Sequence, residues 1–186
     1  GMDAHVVNPG HQWNPVCPPL ARERKIAMLG MGALGSAAAK ALKDLNFDVA
    51  GWSRHPKTGT GLPHYHGEEG LGEILAQADI VVTLLPKTPE TENLLNAERF
   101  AQMKRGAVIL NPGRGALIND ADLLVALESG QIGHATLDVF RVEPLPKDSP
   151  FWTHPRITVT PHIAADTRAS GAAMVLVENI RRGEAG

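Results

Sequence analysis

The length, composition and charge of this chain narrow the classes of protein to which it can belong. It has 186 residues, of which 43% are hydrophobic and 20% are charged, and its formal net charge is -2. A chain of this size suits one large domain with a buried core, and the nearly balanced charge argues against nucleic acid or an anionic membrane surface as a partner. No apolar stretch reaches the roughly 18 residues of a membrane span, and the single cysteine cannot form an intramolecular disulfide. We therefore expect a cytoplasmic protein with no membrane or nucleic-acid partner.

The chain divides into an arm and a domain. Residues 1–24 are rich in Pro, Asn, Gly and His and show no sustained period, which is typical of a loop or linker. From Lys25 onward, short apolar runs alternate with longer helical patterns, which indicates βαβ units and a parallel sheet. The predicted strands cover residues 25–29, 48–52, 80–84, 107–110, 135–137 and 157–160. We predict one doubly wound α/β domain over residues 25–186, with three α/β/α layers.

The helices are predicted from apolar spacing and from end signals. A later helix can be capped by Asn119 and stopped by Gly130, and a last helix is expected over residues 167–182. Glu68 and Glu69 indicate a helix N-terminus, where negative charge is favourable. Between the first two strands, an apolar stripe that can lie on the sheet is predicted from Ala37, Ala38, Ala41, Leu42 and Leu45.

The tripeptide His64-Tyr65-His66 has the look of a metal-binding pair. It lies in a Gly/Pro-rich stretch, and no third ligand follows at a spacing typical of metal sites. We therefore interpret it as a solvated loop.

The first predicted strand runs directly into a glycine-rich turn. Its sequence, Gly30-Met31-Gly32-Ala33-Leu34-Gly35, matches GxGxxG and is followed by a helical pattern. The first glycine permits a tight turn, the second lets the backbone approach a pyrophosphate, and the third lets helix and strand pack closely. The helix N-terminus offers free N–H groups and a positive dipole to phosphates. Three glycines in an unrelated turn would not need this strand-to-helix context, so we predict a Rossmann-type dinucleotide-binding domain.

The end of the second strand indicates which dinucleotide is preferred. Domains that bind NAD place an Asp or Glu about 20 residues beyond the glycines, where it accepts the ribose hydroxyls. Here the segment is Trp52-Ser53-Arg54-His55, which has no carboxylate. Ser53 can hydrogen-bond a 2′-phosphate, Arg54 can bind it through two parallel hydrogen bonds, and Lys57 adds a nearby cation. We predict that NADP is preferred and that NAD can also bind; the alternative is a solvated basic loop.

Three charged side chains follow the last three predicted strands. The carboxyl ends of these strands form the ligand crevice of an open α/β sheet. Arg114 follows the fourth strand and could hold a carboxylate bidentately, although an ordinary loop arginine would give the same pattern. Glu143 follows the fifth strand and His162 the sixth. A histidine oriented by a glutamate suits protonation of a 2-oxo acid during hydride transfer, whereas His162 taken alone would be interpreted as a turn or capping residue.

From about Trp13 to its end, the chain resembles the cofactor-binding half of the D-2-hydroxyacid dehydrogenases. The segments that carry the resemblance are 85–91, 111–115, 137–144 and 161–164. Within that family, the chain is most similar to the glyoxylate/hydroxypyruvate reductase branch. The more specific likeness lies in Trp52-Ser53-Arg54, Leu84-Leu85-Pro86, Glu143-Pro144-Leu145-Pro146 and Ser149-Pro150-Phe151-Trp152.

The resemblance implies a role for each candidate residue. Arg114 would bind the substrate carboxylate, Glu143 and His162 would form the acid/base pair, and Asp138 would lie near the nicotinamide carboxamide. A homodimer formed through this domain is also implied. The cofactor would contact Gly30, Gly32, Ala33, Leu34, Gly35, Ser53, Arg54, Lys57, Leu85, Pro86, Pro112, Gly113, Asp138, His162 and Ala164.

The chain departs from the family in its extent. Members of the family begin with a flavodoxin-like substrate domain, of which residues 1–24 would be only the tail. We expect the cofactor-binding domain of an oxidoreductase that transfers hydride between NADPH and a small 2-oxo acid such as glyoxylate or hydroxypyruvate. The alternative is a shortened NADP(H)-binding module without turnover. A third hypothesis is another Rossmann dehydrogenase, such as a 3-hydroxyacid type, which would not need Arg114, Glu143 and His162.

Overall fold

A seven-stranded parallel sheet forms the centre of the fold. The structure, a computed structural model, describes residues 18–165 and 180–181. The strands are β1 (Lys25–Leu29), β2 (Asp48–Ser53), β3 (His64–His66), β4 (Ile80–Thr83), β5 (Ala107–Asn111), β6 (Ile132–Leu137) and β7 (Ile157–Val159). Their order is β3-β2-β1-β4-β5-β6-β7, and all neighbouring strands are parallel. The chain order reverses between β1 and β4, which opens a crevice at the carboxyl ends of these strands.

Helices cover both faces of this sheet. They are α1 (Ala33–Asp44), α2 (Gly67–Gln77), α3 (Ala97–Gln102) and α4 (Asp120–Glu128). Strand β1 is buried on both sides because successive side chains point to opposite faces. Ile26 and Met28 join the smaller core cluster with Ala39 of α1, while Ala27 and Leu29 join the larger cluster, which contains residues of α2, α3 and α4. The predicted three-layer α/β/α fold is confirmed. Each of the six predicted strands is present, and the sheet has a seventh, β3, that was not predicted.

Strand β6 begins earlier than predicted. It starts at Ile132, and the prediction started at Ala135 because no apolar run precedes that residue. Gly133 lies against the backbone of Gly106, where an added Cβ would be 2.5 Å from the carbonyl oxygen. A close backbone approach of this kind has no counterpart in hydrophobic patterning, so the strand was predicted too short.

The interpretation of residues 64–66 as a solvated loop is wrong. They form the edge strand β3, in which Gly51 pairs with His64, Trp52 with Tyr65, and Ser53 with His66. Tyr65 is half-buried and packs against the larger core cluster. Three residues flanked by Gly and Pro are too few to show an alternating pattern, and the backbone pairing with β2 decides their conformation.

The apolar stripe of α1 is displaced from its predicted position. Gly35 and Ala39 are the buried residues of this helix, and Ala38 and Leu42 pack partly against the sheet. The other members of the predicted stripe, Ala37, Ala41 and Leu45, are exposed. The helix has alanine on several sides, so its composition offers little polarity contrast, and the close packing of Gly35 on β1 decides which side faces the sheet.

Both ends of α4 follow the prediction. The Asn119 side chain accepts a hydrogen bond from the Asp122 amide, and Gly130 has the positive φ of 72° expected after a helix. Glu68 and Glu69 lie in the first turn of α2, as predicted. The predicted last helix lies outside the described residues except at 180–181. Among the described residues, no helix has the length and hydrophobicity needed to cross a membrane.

Candidate active site

The glycine-rich turn joins β1 to α1 at the crevice. Gly30 has a φ of 107°, and a Cβ added to it would lie 2.6 Å from the Leu84 carbonyl oxygen. A Cβ on Gly35 would lie 1.8 Å from the Gly30 carbonyl oxygen, whereas one on Gly32 would meet no atom within 4 Å. Packing therefore requires the first and third glycines, while the second faces open space.

The N-terminus of α1 offers backbone donors at this open space. Gly32 is the N-cap residue, and no side chain caps the first turn. The first intrahelical bond runs from the Ser36 amide to the Gly32 carbonyl, so the amides of Ala33, Leu34 and Gly35 precede it. A helix start of this kind favours an anion such as a phosphate, and its surroundings fit a dinucleotide pyrophosphate.

Two of the three residues predicted for the 2′-phosphate lie at the adjoining corner. The Lys57 ammonium donates a 2.7 Å hydrogen bond to the Met31 carbonyl, inside the glycine-rich turn. The Ser53 hydroxyl donates to the His55 carbonyl at 2.8 Å and lies 3.0 Å from Nε2 of His64. A cation and a hydroxyl thus lie beside the turn, at the strand end where Rossmann domains in general bind the adenosine ribose.

The third predicted residue, Arg54, faces an acidic partner. Its guanidinium lies 3.5 Å from the carboxylate of Glu90, in the loop after β4. The hydrogen bond from the Thr88 side chain, the Glu90 amide and the charge of Arg54 hold the pKa of Glu90 below its usual range. Both side chains of the pair are about half exposed, at 47% and 58%, so Arg54 is free to exchange this weak partner for a phosphate.

A buried threonine shapes the loop that carries Leu85 and Pro86. The Thr91 hydroxyl donates to the Pro86 carbonyl at 2.7 Å and accepts from the Thr88 amide at 2.8 Å. The Leu84 amide bonds to the Leu29 carbonyl at the end of β1. This loop therefore borders the crevice directly beside the glycine-rich turn.

A buried asparagine organises the turn that bears Arg114. The Asn111 side-chain oxygen accepts from the Thr83 hydroxyl at 2.7 Å and from the Gly113 amide at 3.2 Å, and its amide group donates to the Arg114 carbonyl at 3.1 Å. Gly113 packs so closely on β4 that an added Cβ would lie 2.7 Å from the Thr83 carbonyl oxygen. Pro112 and Gly113 thus form a rigid turn, and the Arg114 guanidinium is held by the Gly113 carbonyl at 2.7 Å.

Glu143 and His162 form a hydrogen-bonded pair. Nδ1 of His162 lies 2.7 Å from one carboxylate oxygen of Glu143, and the other oxygen accepts from the Phe140 amide at 2.8 Å. The bond to His162 is the main reason that the pKa of Glu143 is lowered, and the charge of Arg114 contributes to the shift. The loops after β5, β6 and β7 therefore bring the three predicted catalytic side chains to one edge of the sheet.

Asp138 holds the segment on which His162 stands. This carboxylate is only 4% exposed, and it accepts hydrogen bonds from the Thr160 hydroxyl and from the amides of Ile163 and Ala164 at 2.5, 3.0 and 2.9 Å. Burial acts to raise the pKa of Asp138, but these bonds and the charge of His162 lower it overall. His162 between them has a left-handed φ of 54°, so the clamp on both sides supports a conformation that non-glycine residues rarely adopt.

A cavity of about 490 Å³ adjoins the histidine–glutamate pair. Apart from Glu143 and His162 its lining is apolar and aromatic, with Phe140, Pro144, Leu145, Trp152, Val159 and Pro161. The indole N–H of Trp152 donates to the Pro146 carbonyl at 2.8 Å, while 51% of the residue stays exposed. No group of three or more potential metal ligands occurs in the described parts of the chain.

Several residues of this region escaped the sequence analysis. Glu90, His64 and Arg141 each meet a partner distant in the chain: Arg54, Ser53 and the carbonyl of Ile118 respectively. Neither spacing nor composition marks such pairs, because each depends on which strands become neighbours. Only Asn111 had a local signal, since an asparagine before Pro-Gly favours a turn.

The fold and this edge of the sheet define the class of protein, which is a Rossmann-type domain. Its crevice bears a glycine-rich turn and a hydrogen-bonded glutamate–histidine pair. Comparison with known proteins agrees. The family model of the D-isomer specific 2-hydroxyacid dehydrogenase, NAD binding domain, matches residues 4–164. The chain belongs to this family. Because the match begins inside the predicted arm, the boundary at residue 24 stays a prediction.

Named proteins are similar to this chain along its whole length. Glyoxylate/hydroxypyruvate reductase A of Photorhabdus laumondii is 43% identical over 186 residues, which are 100% of this chain and 59% of that protein. A D-isomer specific 2-hydroxyacid dehydrogenase of Xanthobacter autotrophicus, solved with NADPH, is 48% identical with a TM-score of 0.89, covering 100% of this chain and 75% of that one. An NADPH-dependent glyoxylate/hydroxypyruvate reductase of Sinorhizobium meliloti, solved with NADP, is 39% identical with a TM-score of 0.88, covering 100% and 59%.

The chain matches only part of the length of these relatives. The chain spans 59% of the length of the Photorhabdus relative. The part of the family that it matches is the NAD binding domain.

Proposed function

We propose that this chain binds NADPH and forms the cofactor-binding and acid/base half of a reductase of small 2-oxo acids. The observation that carries the proposal is the 2.7 Å contact between Glu143 and His162 at the sheet edge that also bears the glycine-rich turn. An oriented histidine beside a dinucleotide site suits reduction of a carbonyl group.

The residues at the crevice fit the cofactor. The open space at Gly32 and the uncapped start of α1 suit a pyrophosphate. Ser53, Arg54 and Lys57 offer a hydroxyl and two cations to a 2′-phosphate. No carboxylate follows β2 directly to bind the ribose hydroxyls of NAD, so NADPH is the preferred cofactor and NADH a weaker one.

The mechanism assigns each side chain one task. NADPH, when bound, supplies the hydride that reduces the carbonyl carbon. Arg114 binds the substrate carboxylate and polarises the neighbouring carbonyl. Nδ1 of His162 is held by Glu143, so Nε2 is the ring nitrogen that donates a proton to the carbonyl oxygen. Glu143 stays ionised, because its pKa is lowered, and it stabilises the charged imidazole before the proton leaves.

Glyoxylate and hydroxypyruvate are the substrates we propose. The support is the name of the Photorhabdus and Sinorhizobium relatives, together with an arginine suited to a carboxylate. We also propose that the protein is cytoplasmic, and the support is its composition with a single cysteine. We propose further that it works as a homodimer; the support is the family resemblance alone, and size-exclusion chromatography with light scattering tests it.

A nucleotide titration followed by substrate addition tests the proposal. NADPH and NADH are titrated separately, and glyoxylate or hydroxypyruvate is then added while the absorbance of the reduced nicotinamide is followed. We expect tighter binding of NADPH and its oxidation on substrate addition. Binding without oxidation would instead favour an NADP(H)-binding module without turnover, and absence of binding would refute both hypotheses.

A further inference from the structure

His64 contacts the proposed 2′-phosphate site although the sequence analysis gave it no role. It is the first residue of β3 and pairs with Gly51 of β2. Its ring is half-buried, and Nε2 lies 3.0 Å from the Ser53 hydroxyl oxygen. An edge strand thus places an imidazole directly behind a hydroxyl that would contact the cofactor.

The hydrogen bonds define which ring nitrogen carries the proton. Ser53 has one hydroxyl proton, and it is donated to the His55 carbonyl at 2.8 Å. Nε2 of His64 must therefore be the donor to Ser53, which leaves Nδ1 as the nitrogen that gains a proton when the ring becomes charged. The imidazole can stay bonded to Ser53 in both protonation states.

Two neighbouring side chains, Lys57 and His66, disfavour a positive charge on the His64 ring. Burial lowers the pKa of His64, and His66 on the same strand and Lys57 from the loop after β2 lower it further. Arg54, the residue after Ser53, is paired with Glu90. Without a ligand, burial and these neighbours therefore favour the neutral form of the ring.

A 2′-phosphate bound at this site would favour the charged form of the His64 ring over the neutral form. A phosphate oxygen can accept the Ser53 proton in place of the His55 carbonyl, while Nε2 of His64 still donates to Ser53. This oxygen lies one hydrogen-bond length beyond the 3.0 Å between Ser53 and Nε2, which puts it within about 6 Å of the ring. An anion at that distance favours the charged imidazole. Since Lys57 and Arg54 would both turn to the same phosphate, their effect on the ring would be offset as well.

We propose that His64 is a specificity-determining residue for the phosphorylated cofactor: it holds the Ser53 hydroxyl in place and, on protonation, adds a positive charge to the 2′-phosphate site. The inference rests on the proposed function, since it requires that NADPH binds at the glycine-rich turn. It makes the preference for NADPH over NADH depend on pH.

The direction of this dependence follows from linkage. The charged ring binds the phosphate better, so the preference for NADPH is greatest at low pH and declines as pH rises through the interval between the free and bound pKa of His64. If binding raises this pKa by about one, the preference changes about tenfold. The phosphate also ionises, near pH 6. Its ionisation is common to all variants, so a comparison of the variants separates it from the ionisation of His64.

The test measures the dissociation constants of NADPH and NADH from about pH 5 to pH 8 for the whole chain and three variants. His64→Gln keeps an N–H donor for Ser53 but cannot titrate, and His64→Leu loses both properties. His154→Gln is the control, because His154 lies in the turn before β7, at the opposite end of the strands, and accepts a bond from the Arg156 amide.

We expect the preference for NADPH of the unmodified chain and of the control, each divided by the preference of His64→Gln at the same pH, to decline as pH rises. His64→Leu should bind NADPH roughly two- to tenfold more weakly than His64→Gln, because it loses the hydrogen bond to Ser53. Its binding of NADH should change little. Equal preference and equal pH dependence in all four proteins would overturn the role of His64 alone. Failure of the unmodified chain to bind NADPH would overturn the proposed function and this inference together.

Discussion

Asp138 shows how a single buried side chain can support a catalytic loop. Its two oxygens accept three hydrogen bonds from residues 160, 163 and 164, and those residues flank His162. The family resemblance predicted Asp138 near the nicotinamide carboxamide, and that role stays a prediction. The contacts within the chain add a second task, which is to hold the backbone that presents His162.

We predict that Asp138→Asn lowers the free energy of unfolding by about 1–3 kcal/mol, because an amide N–H₂ would then face backbone donors that lose their acceptor. Urea unfolding measures the change. Asp148→Asn, which alters an exposed carboxylate in the loop after β6, serves as the control and should change stability little. Equal stability of both variants would show that the Asp138 clamp contributes nothing.

Arg54 is the residue on which we expect the cofactor preference to depend most directly. We predict that Arg54→Asp inverts the preference, with NADPH affinity falling about tenfold or more as a charge-assisted bond is replaced by repulsion. A carboxylate at this position would accept the ribose hydroxyls of NADH. Paired titrations of both cofactors measure the ratio, with Arg22→Asp, an exposed position, as the matched change of charge. A similar loss for both cofactors would contradict the placement of the ribose.

At the scale of secondary-structure elements, the junction of β1 and α1 contains one glycine needed for packing and another that we expect to be needed for binding. Gly35 has no room for a methyl group, while Gly32 has open space. We predict that Gly35→Ala destabilises the fold by several kcal/mol, in the range of overpacking, and that Gly32→Ala folds normally but binds NADPH weakly. Thermal unfolding and nucleotide titration distinguish the two effects. Normal NADPH binding by Gly32→Ala would argue that the pyrophosphate lies elsewhere.

Arg141 joins the loop that carries Glu143 to the segment that follows Arg114. Its guanidinium donates to the Ile118 carbonyl at 2.5 Å and the Ala116 carbonyl at 3.3 Å, and it bonds to the side chain of Asn93. It also lies 3.7 Å from Asp120, whose pKa burial raises and Arg141 partly lowers. The loop after β6 is thereby fastened to the segments after β4 and β5.

We predict that Arg141→Met destabilises the protein by about 1–3 kcal/mol, because half-buried carbonyl groups lose their donor. Amide exchange in residues 139–145 should become faster, and hydrogen-exchange mass spectrometry measures it. Lys147→Met removes an exposed cation from the same loop and should leave the exchange unchanged. Unaltered exchange in Arg141→Met would mean that the loop is held by its other contacts.

At the scale of the whole molecule, the lowered pKa values couple stability to pH. Burial acts to raise the pKa of both Asp79 and Asp138, but hydrogen bonds lower the two overall, and the bond from His162 lowers that of Glu143. A carboxyl group with a lower pKa in the folded chain stabilises it above the unfolded pKa of about 4 and loses this contribution as pH falls through the folded pKa. Asp120, with a raised pKa, has the opposite effect.

We expect the free energy of unfolding to fall as pH decreases from about 5 toward 2, since the stabilising carboxylates outnumber the opposing one. Urea unfolding at a series of pH values measures this. The decline should be shallower in Asp138→Asn, which cannot titrate at that position. An identical slope in the variant would mean that Asp138 contributes nothing to acid sensitivity.

Sequence alone determined the class of fold, the position of six strands, the cap of α4 and the glycine-rich turn. Each of these depends on local spacing: apolar runs of strand length, an asparagine before a helix, glycines at a strand-to-helix junction. The candidate residues Arg114, Glu143 and His162 could also be selected, because the carboxyl ends of parallel strands share one edge. Their roles stay predictions, although the structure brings the three together.

Tertiary structure decided what local spacing does not contain. The third strand exists only because β2 offers it a partner, and the buried side of α1 follows from the close approach of Gly35 to Gly30. The pairings of Arg54 with Glu90, Ser53 with His64 and Arg141 with Ile118 join residues far apart in the chain. The physical reason is the same in each case: these contacts depend on which segments the sheet order makes neighbours, and that order is a property of the folded chain.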